Sequence, residues 1–168
     1  MTDDGKPGLF PAGGHDHHAC VEAALASAEL LCRERGLRLT PLRRRVLELV
    51  WRSHRPVGAY AVLEELRRDG RSAAPPTVYR ALDFLVQERL VHRLPSLNAY
   101  IGCNEPGAPH CGQFLICRHC GRVAELHDHA LDRRISASAA DTRFRVEQAL
   151  VEVQGLCPRC QAAEGEGE

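Results

Sequence analysis

Lysine is nearly absent from this 168-residue chain: Lys6 stands alone among 22 basic residues, and the rest are arginine. Aromatic residues are also scarce, at 5% with a single tryptophan, so any core must be built from aliphatic side chains. No apolar run approaches the ~18 residues that cross a bilayer, which excludes a helical membrane span. The opening stretch, MTDDGKPGLFPAGGHDHH, has neither the basic start nor the apolar segment of a secretory signal. A cytoplasmic protein is therefore expected. Its eight cysteines read as metal ligands or thiols rather than disulfides.

What is present is ordinary for a folded chain: 44% hydrophobic and 26% charged residues. The net charge is zero, but it is unevenly spread. Residues 19–95 hold fourteen arginines against nine acids, while 96–168 hold seven against ten. Arginine's planar fork matches phosphates and guanine edges, so the basic middle block suits a polyanion.

Residues 1–18, rich in Gly, Pro and His, read as a flexible tail. Four helical patterns follow. The first places Val21, Ala24, Leu25, Ala28 and Cys32 on one face and stops at Gly36. The second starts at Thr40 as N-cap with Pro41 at N1, and turns Leu42, Val46, Leu49 and Val50 inward. The third runs from about Ala59 to Asp69-Gly70. The fourth opens at Pro75-Pro76-Thr77 and buries Val78, Leu82, Leu85 and Val86. Short strands at Leu90–Leu94 and Ala99–Cys103 then flank Pro95-Ser96-Leu97-Asn98.

Three helices and a hairpin are the layout of a winged helix-turn-helix, here preceded by one more helix. The outer face of the fourth helix carries Thr77, Tyr79, Arg80 and Asp83 near its start, where a recognition helix meets base edges. Arg80 would fork onto guanine, with Thr77 and Tyr79 on phosphates. A solvated amphipathic face is the alternative, and the hairpin within the basic block favours DNA.

Residues 104–112 read as a hinge. Beyond it, strand-like Gln113–Cys117 and Gly121–Leu126, a helical Ala130–Ala140 and a β-rich Phe144–Gln154 form a small α/β unit. The expected class is therefore α+β, with a winged-helix domain over 19–103, a second domain over 113–160 and a tail over 161–168.

Two CxxC pairs, Cys117/Cys120 and Cys157/Cys160, each supply two thiolates from one tight turn. Together they complete a tetrahedral zinc shell with no open position, which makes that metal structural. A thioredoxin-like dithiol gains nothing from a second pair. Outside that shell stand His92, Cys103, His110 and Glu125, with Cys111, His127 and His129 nearby. One sulfur, two imidazoles and one carboxylate suit a second zinc of mixed ligand hardness. A hairpin register leaving Ser96–Ala99 as the loop would set His92 opposite Cys103. Cys20 and Cys32 read as small core or surface thiols.

The segments LRLTPLRRRVLELV, PPTVYRALDFLVQERLVHR, YIGC, PHCGQFLICRHCGRVAEL and GLCPRC resemble the ferric uptake regulator superfamily, most of all its zinc uptake branch. The likeness spans about residues 22–160. It implies a dimeric, metal-dependent transcriptional repressor with no enzymatic activity, membrane contact or small-molecule substrate. Such a protein binds a pseudo-palindromic operator in double-stranded DNA when metal-loaded, and its second domain is the dimerisation domain.

By the same resemblance, Cys117, Cys120, Cys157 and Cys160 correspond to structural zinc ligands. His92, Cys103, His110 and Glu125 correspond to zinc-sensing ligands, giving two zinc ions per chain. Tyr60, Tyr79 and Arg80 fall at DNA-contacting positions. Iron-type members carry an HHDH-like run where this chain has Pro109-His110-Cys111-Gly112, and that departure favours zinc over iron or peroxide sensing. Cys111 lies outside the pattern.

Overall fold

A computed structural model describes Phe10 and residues 17–53, 55–107 and 111–165. The chain divides into two compact units, one over Gly13–Ala108 and the other joining Met1–Ala12 to Pro109–Glu168. The division falls inside the segment expected as a hinge. Among the described residues no helix is long and apolar enough to cross a membrane.

The first unit is a four-helix and wing assembly: α1 (His17–Glu34), α2 (Pro41–Trp51), α3 (Ala59–Arg68), α4 (Pro75–Gln87), β1 (Val91–Leu94) and β2 (Ala99–Gly102). Helix α1 already starts at His17, inside the stretch expected as tail. Thr40 caps α2 through its hydroxyl, which accepts from the Arg43 amide, and Pro41 takes N1, where no amide partner is needed. The end of α1 matches its signal too. Gly36 sits at φ +66°, with the Leu37 and Gly36 amides turned back onto Cys32 and Arg33 carbonyls.

The core is aliphatic. Leu25, Ala28 and Cys32 of α1 meet Val46, Leu47, Leu49 and Val50 of α2, Val62 and Leu66 of α3, and Val78, Leu82 and Leu85 of α4. Leu47, outside the expected α2 stripe, is as buried as its neighbours because helices α1 and α4 both pack on α2. Val86, by contrast, is only partly buried at the margin of this core.

The wing departs from the expected register. Its turn is Pro95–Asn98, closed by Asn98 at φ +46°, so Leu94 faces Ala99 and His92 faces Ile101 rather than Cys103. The Cys103 amide donates instead to the Leu90 carbonyl at 3.1 Å. A slip of two residues leaves every side chain on its original face, which is why alternation alone did not distinguish the two registers. Val57 adds a further rung through reciprocal backbone bonds with Tyr100 at 2.8 and 2.9 Å.

The second unit is a three-stranded sheet ordered β4-β3-β5, built from β3 (Gly112–Cys117), β4 (Val123–Leu126) and β5 (Leu150–Gly155), with α5 (His129–Asp141) as crossover. Strands β3 and β4 are antiparallel, and β3 and β5 are parallel. Only the latter part of the expected Phe144–Gln154 strand is extended. Arg143 at φ +58° ends α5 by sending the Arg143 and Phe144 amides back to Ala140 and Ala139. A closing helix, α6 (Pro158–Gly165), continues past Cys160 into residues expected as tail, since the Cys160 and Gln161 amides bond the Cys157 carbonyl.

Candidate metal centre and nucleic-acid face

Parallel pairing brings the two CxxC turns together. Cys117 ends β3 and lies opposite Gly155 at the end of β5, so both chains leave the sheet at one edge. Arg118 donates its amide to the Gly155 carbonyl at 2.9 Å, and the first turn closes with Gly121 at φ +71° donating to the Cys117 carbonyl. The second turn is the start of α6. The result is a cluster of Cys117, Cys120, Cys157 and Cys160 whose sulfurs all lie within 4.8 Å of one another.

The sulfur geometry fits zinc. Cys120 Sγ and Cys157 Sγ are 3.8 Å apart, and a tetrahedron with Zn–S arms of ~2.3 Å has edges of about 3.8 Å. The environment already favours a thiolate at Cys117, whose pKa falls to about 6 because backbone amides, that of Cys120 first, point at its sulfur. Burial first, and then its sulfur neighbours, push Cys160 up to about 12. A dication between the four would stabilise all of them as thiolates. Leu156 and Phe10 pack against this cluster. Phe10 thus has a buried contact within its unit, which the composition of the first eighteen residues did not disclose.

Of the second expected ligand set, His92 and Cys103 belong to the wing. They are diagonal neighbours at the end of the hairpin, since His92 pairs with Ile101 and Cys103 follows two residues later, directly past the end of β2. Cys103 is buried. Glu125 belongs to the other unit, on β4 opposite Phe114, and is one of two buried polar side chains among the described residues. His110 lies outside the described residues. Cys111 is half-buried beside Asp132, and burial raises its pKa.

The expected DNA-contacting residues lie in the N-terminal halves of two helices, α3 and α4. Tyr60 opens α3 and is 69% exposed, Tyr79 is more than one-third exposed, and Arg80 is exposed with Nε donating to the Pro76 carbonyl. Thr77 is half-buried, its amide bonded to the Ala74 carbonyl. Two exposed tyrosines in a chain so poor in aromatics have no core to serve. Arg43, partly buried on α2, lies 3.5 Å over the Phe84 ring and braces α4 from behind.

A winged helix-turn-helix joined to an α/β unit stapled by four cysteines defines a class of metal-containing winged-helix proteins. Comparison with known proteins narrows it. The model of the ferric uptake regulator family matches residues 34–154. The zinc uptake regulation protein of Escherichia coli is 38% identical over 145 residues, 86% of this chain and 85% of its own. A structure of a zinc uptake regulator complexed with zinc and DNA superposes with a TM-score of 0.82 at 37% identity, covering 86% of this chain and 97% of that one. The ferric uptake regulation protein of Legionella pneumophila is 30% identical over 77% of this chain and 95% of its own. The chain belongs to the ferric uptake regulator family.

Proposed function

We propose that the protein is a zinc-responsive transcriptional repressor of zinc-uptake genes, acting in the cytoplasm as a homodimer on a pseudo-palindromic operator. It catalyses no reaction and carries two zinc ions per chain. One is structural, held by Cys117, Cys120, Cys157 and Cys160. The other is regulatory, held by His92, Cys103, His110 and Glu125. Tyr60, Thr77, Tyr79 and Arg80 meet the DNA.

The observation that carries the zinc reading is the wing. It holds a buried thiol, Cys103, and an imidazole, His92, on one face, outside the four-cysteine shell. A thiolate in the sensing site selects zinc over a harder, oxidisable iron centre. Because the proposed ligands are drawn from both units, zinc binding there would favour one arrangement of the two. Moving such an equilibrium from mostly inactive to mostly active requires zinc to favour the active state by about 5 kcal/mol. Two-fold symmetry of the dimer requires a matching symmetry in the operator. Repression then follows from covering promoter DNA.

The test is a metal-buffered titration of promoter fragments from the protein's own genome, with zinc, iron(II) and manganese compared and bound metal measured. Zinc should raise DNA affinity at the lowest free concentration. DNA binding driven by iron(II) or manganese and indifferent to zinc would instead identify an iron- or peroxide-responsive regulator.

A further inference from the structure

Arg35, the residue that follows α1, joins three parts of the first unit. One terminal nitrogen of its guanidinium donates to Glu88 Oε2 at 2.8 Å and to the Glu88 carbonyl at 3.3 Å. The other donates to the Gly107 carbonyl at 3.1 Å. Glu88 is the C-cap of α4, and its side chain is only 13% exposed. Gly107 sits at φ +83° and lies so close to α1 that a Cβ there would overlap the Leu31 side chain.

The segment from Cys103 to Gly107 is therefore pinned at both ends. Cys103 is held by its amide on Leu90, and Gly107 by Arg35 and Leu31. The two anchor points, Glu88 and Leu90, are two residues apart, where α4 ends with the Arg89 and Leu90 amides turned back onto Val86 and Leu85. Any pull on Cys103 is thus delivered to the residues that terminate the helix read as DNA-contacting.

We propose that Arg35 is a positioning residue for zinc sensing: with Glu88 it clamps the loop that follows Cys103 to the end of α4, so that metal capture at Cys103 is transmitted to the DNA-reading helix rather than absorbed by slack chain. The proposal rests on the reading of Cys103 as a sensor ligand. Arginine suits the task because its fork serves separated acceptors at fixed angles, which a lysine ammonium cannot reproduce. A partly exposed ion pair contributes little to stability, so loosening it leaves the fold intact and changes what the loop can transmit.

The experiment compares Arg35→Gln, Arg35→Lys and Glu88→Ala in the full chain, using zinc-buffered anisotropy on an operator-bearing promoter fragment. Zinc content, thermal melting and zinc-free DNA affinity are measured alongside. In all three variants the zinc-dependent gain in operator affinity is expected to fall by about fivefold or more, while zinc-free DNA affinity stays within about twofold. Structural zinc and melting temperature remain close to wild type.

A full zinc-dependent gain in Arg35→Gln or Glu88→Ala overturns the proposal. So does a loss confined to the two Arg35 variants that is equal with and without zinc, which would make Arg35 a phosphate contact. Cys103→Ser separates the two layers. If it retains the zinc response, the sensor reading itself fails. If it abolishes the response while the clamp variants behave as wild type, only the role of Arg35 fails.

Discussion

Gly102 lies directly under the indole of Trp51: a Cβ added there would overlap the Cε2, Nε1 and Cδ2 atoms of the ring. The contact sets the end of α2 against β2, one residue before Cys103. Gly102→Ala should therefore force a shift of the wing or the ring, costing about 1–3 kcal/mol as an overpacked contact does. Thermal melting measures the cost. The emission of Trp51, the chain's sole tryptophan, reports the displacement. Unchanged melting and emission would mean that the ring swings away freely.

Cys117→Ser or Cys157→Ser should remove one thiolate from a closed shell whose metal binding energy is also folding energy. The expected outcome is about one zinc fewer per chain, with loss of dimer and of cooperative melting. Sedimentation, metal analysis and calorimetry check the three effects separately. A variant that keeps its zinc, its dimer and its melting would remove the four-cysteine centre from the fold's supports.

Arg80→Ala should weaken operator binding by roughly 1–3 kcal/mol per half-site and relax preference at one base pair, as expected for loss of a bidentate guanine contact. The comparison must be made at equal salt, because phosphate contacts are strongly salt-dependent. Wild-type affinity in Arg80→Ala would move base reading to another element.

Cys103→Ser replaces a soft thiolate with a hydroxyl that zinc binds poorly. The variant should fold, dimerise and keep its structural zinc, yet gain no operator affinity as free zinc rises. Linkage makes the wild-type effect reciprocal: operator DNA must tighten zinc binding by the factor with which zinc tightens DNA binding. Both factors should shrink together in Cys103→Ser. Loss of the dimer would instead give this cysteine a structural role.

Acidification should weaken the tie between α2 and the end of α3. Asp69 accepts from Arg45 Nε and from one terminal nitrogen at 2.7 and 2.9 Å, which lowers its pKa below the usual carboxylate value. A depressed pKa means that the stabilising contribution is present above the unfolded value and fades as pH falls through the folded one. Asp69→Asn should accordingly flatten the acid limb of a melting-versus-pH profile. An identical limb in wild type and variant would assign that limb to other carboxylates.

Local chemistry was legible in the sequence, and distant contacts were not. Thr40-Pro41 marked the start of α2 and Gly36 the end of α1 because capping depends on neighbouring residues alone. The CxxC pairs announced the clustering of their four sulfurs through spacing. The wing register was harder, since a two-residue slip preserves the alternation that sets each face. Val57 carries no local mark of pairing with Tyr100, forty-three positions away. Arg35 looks like any helix-end arginine until the chain returns to it at Glu88 and Gly107. Phe10 stands in a Gly- and Pro-rich stretch whose composition says nothing of the cysteines it covers.

The parallel pairing of β3 with β5 also governs how the chain matures during synthesis. The buried residues of the cluster that joins the four helices run from Leu25 to Tyr100, so this cluster can close early on the ribosome. Cys117 and Cys120 emerge next, but thirty-six residues separate Cys120 from the first of their partners, Cys157. Throughout that interval β3 has only β4 beside it, and the nascent site offers two thiols where four are needed. Translation that stalls before Cys157 therefore yields a finished winged helix attached to an unfinished second unit. Such a product has the winged-helix half without the second CxxC turn that completes its partner, and leaves Cys117 and Cys120 without Cys157 and Cys160 beside them.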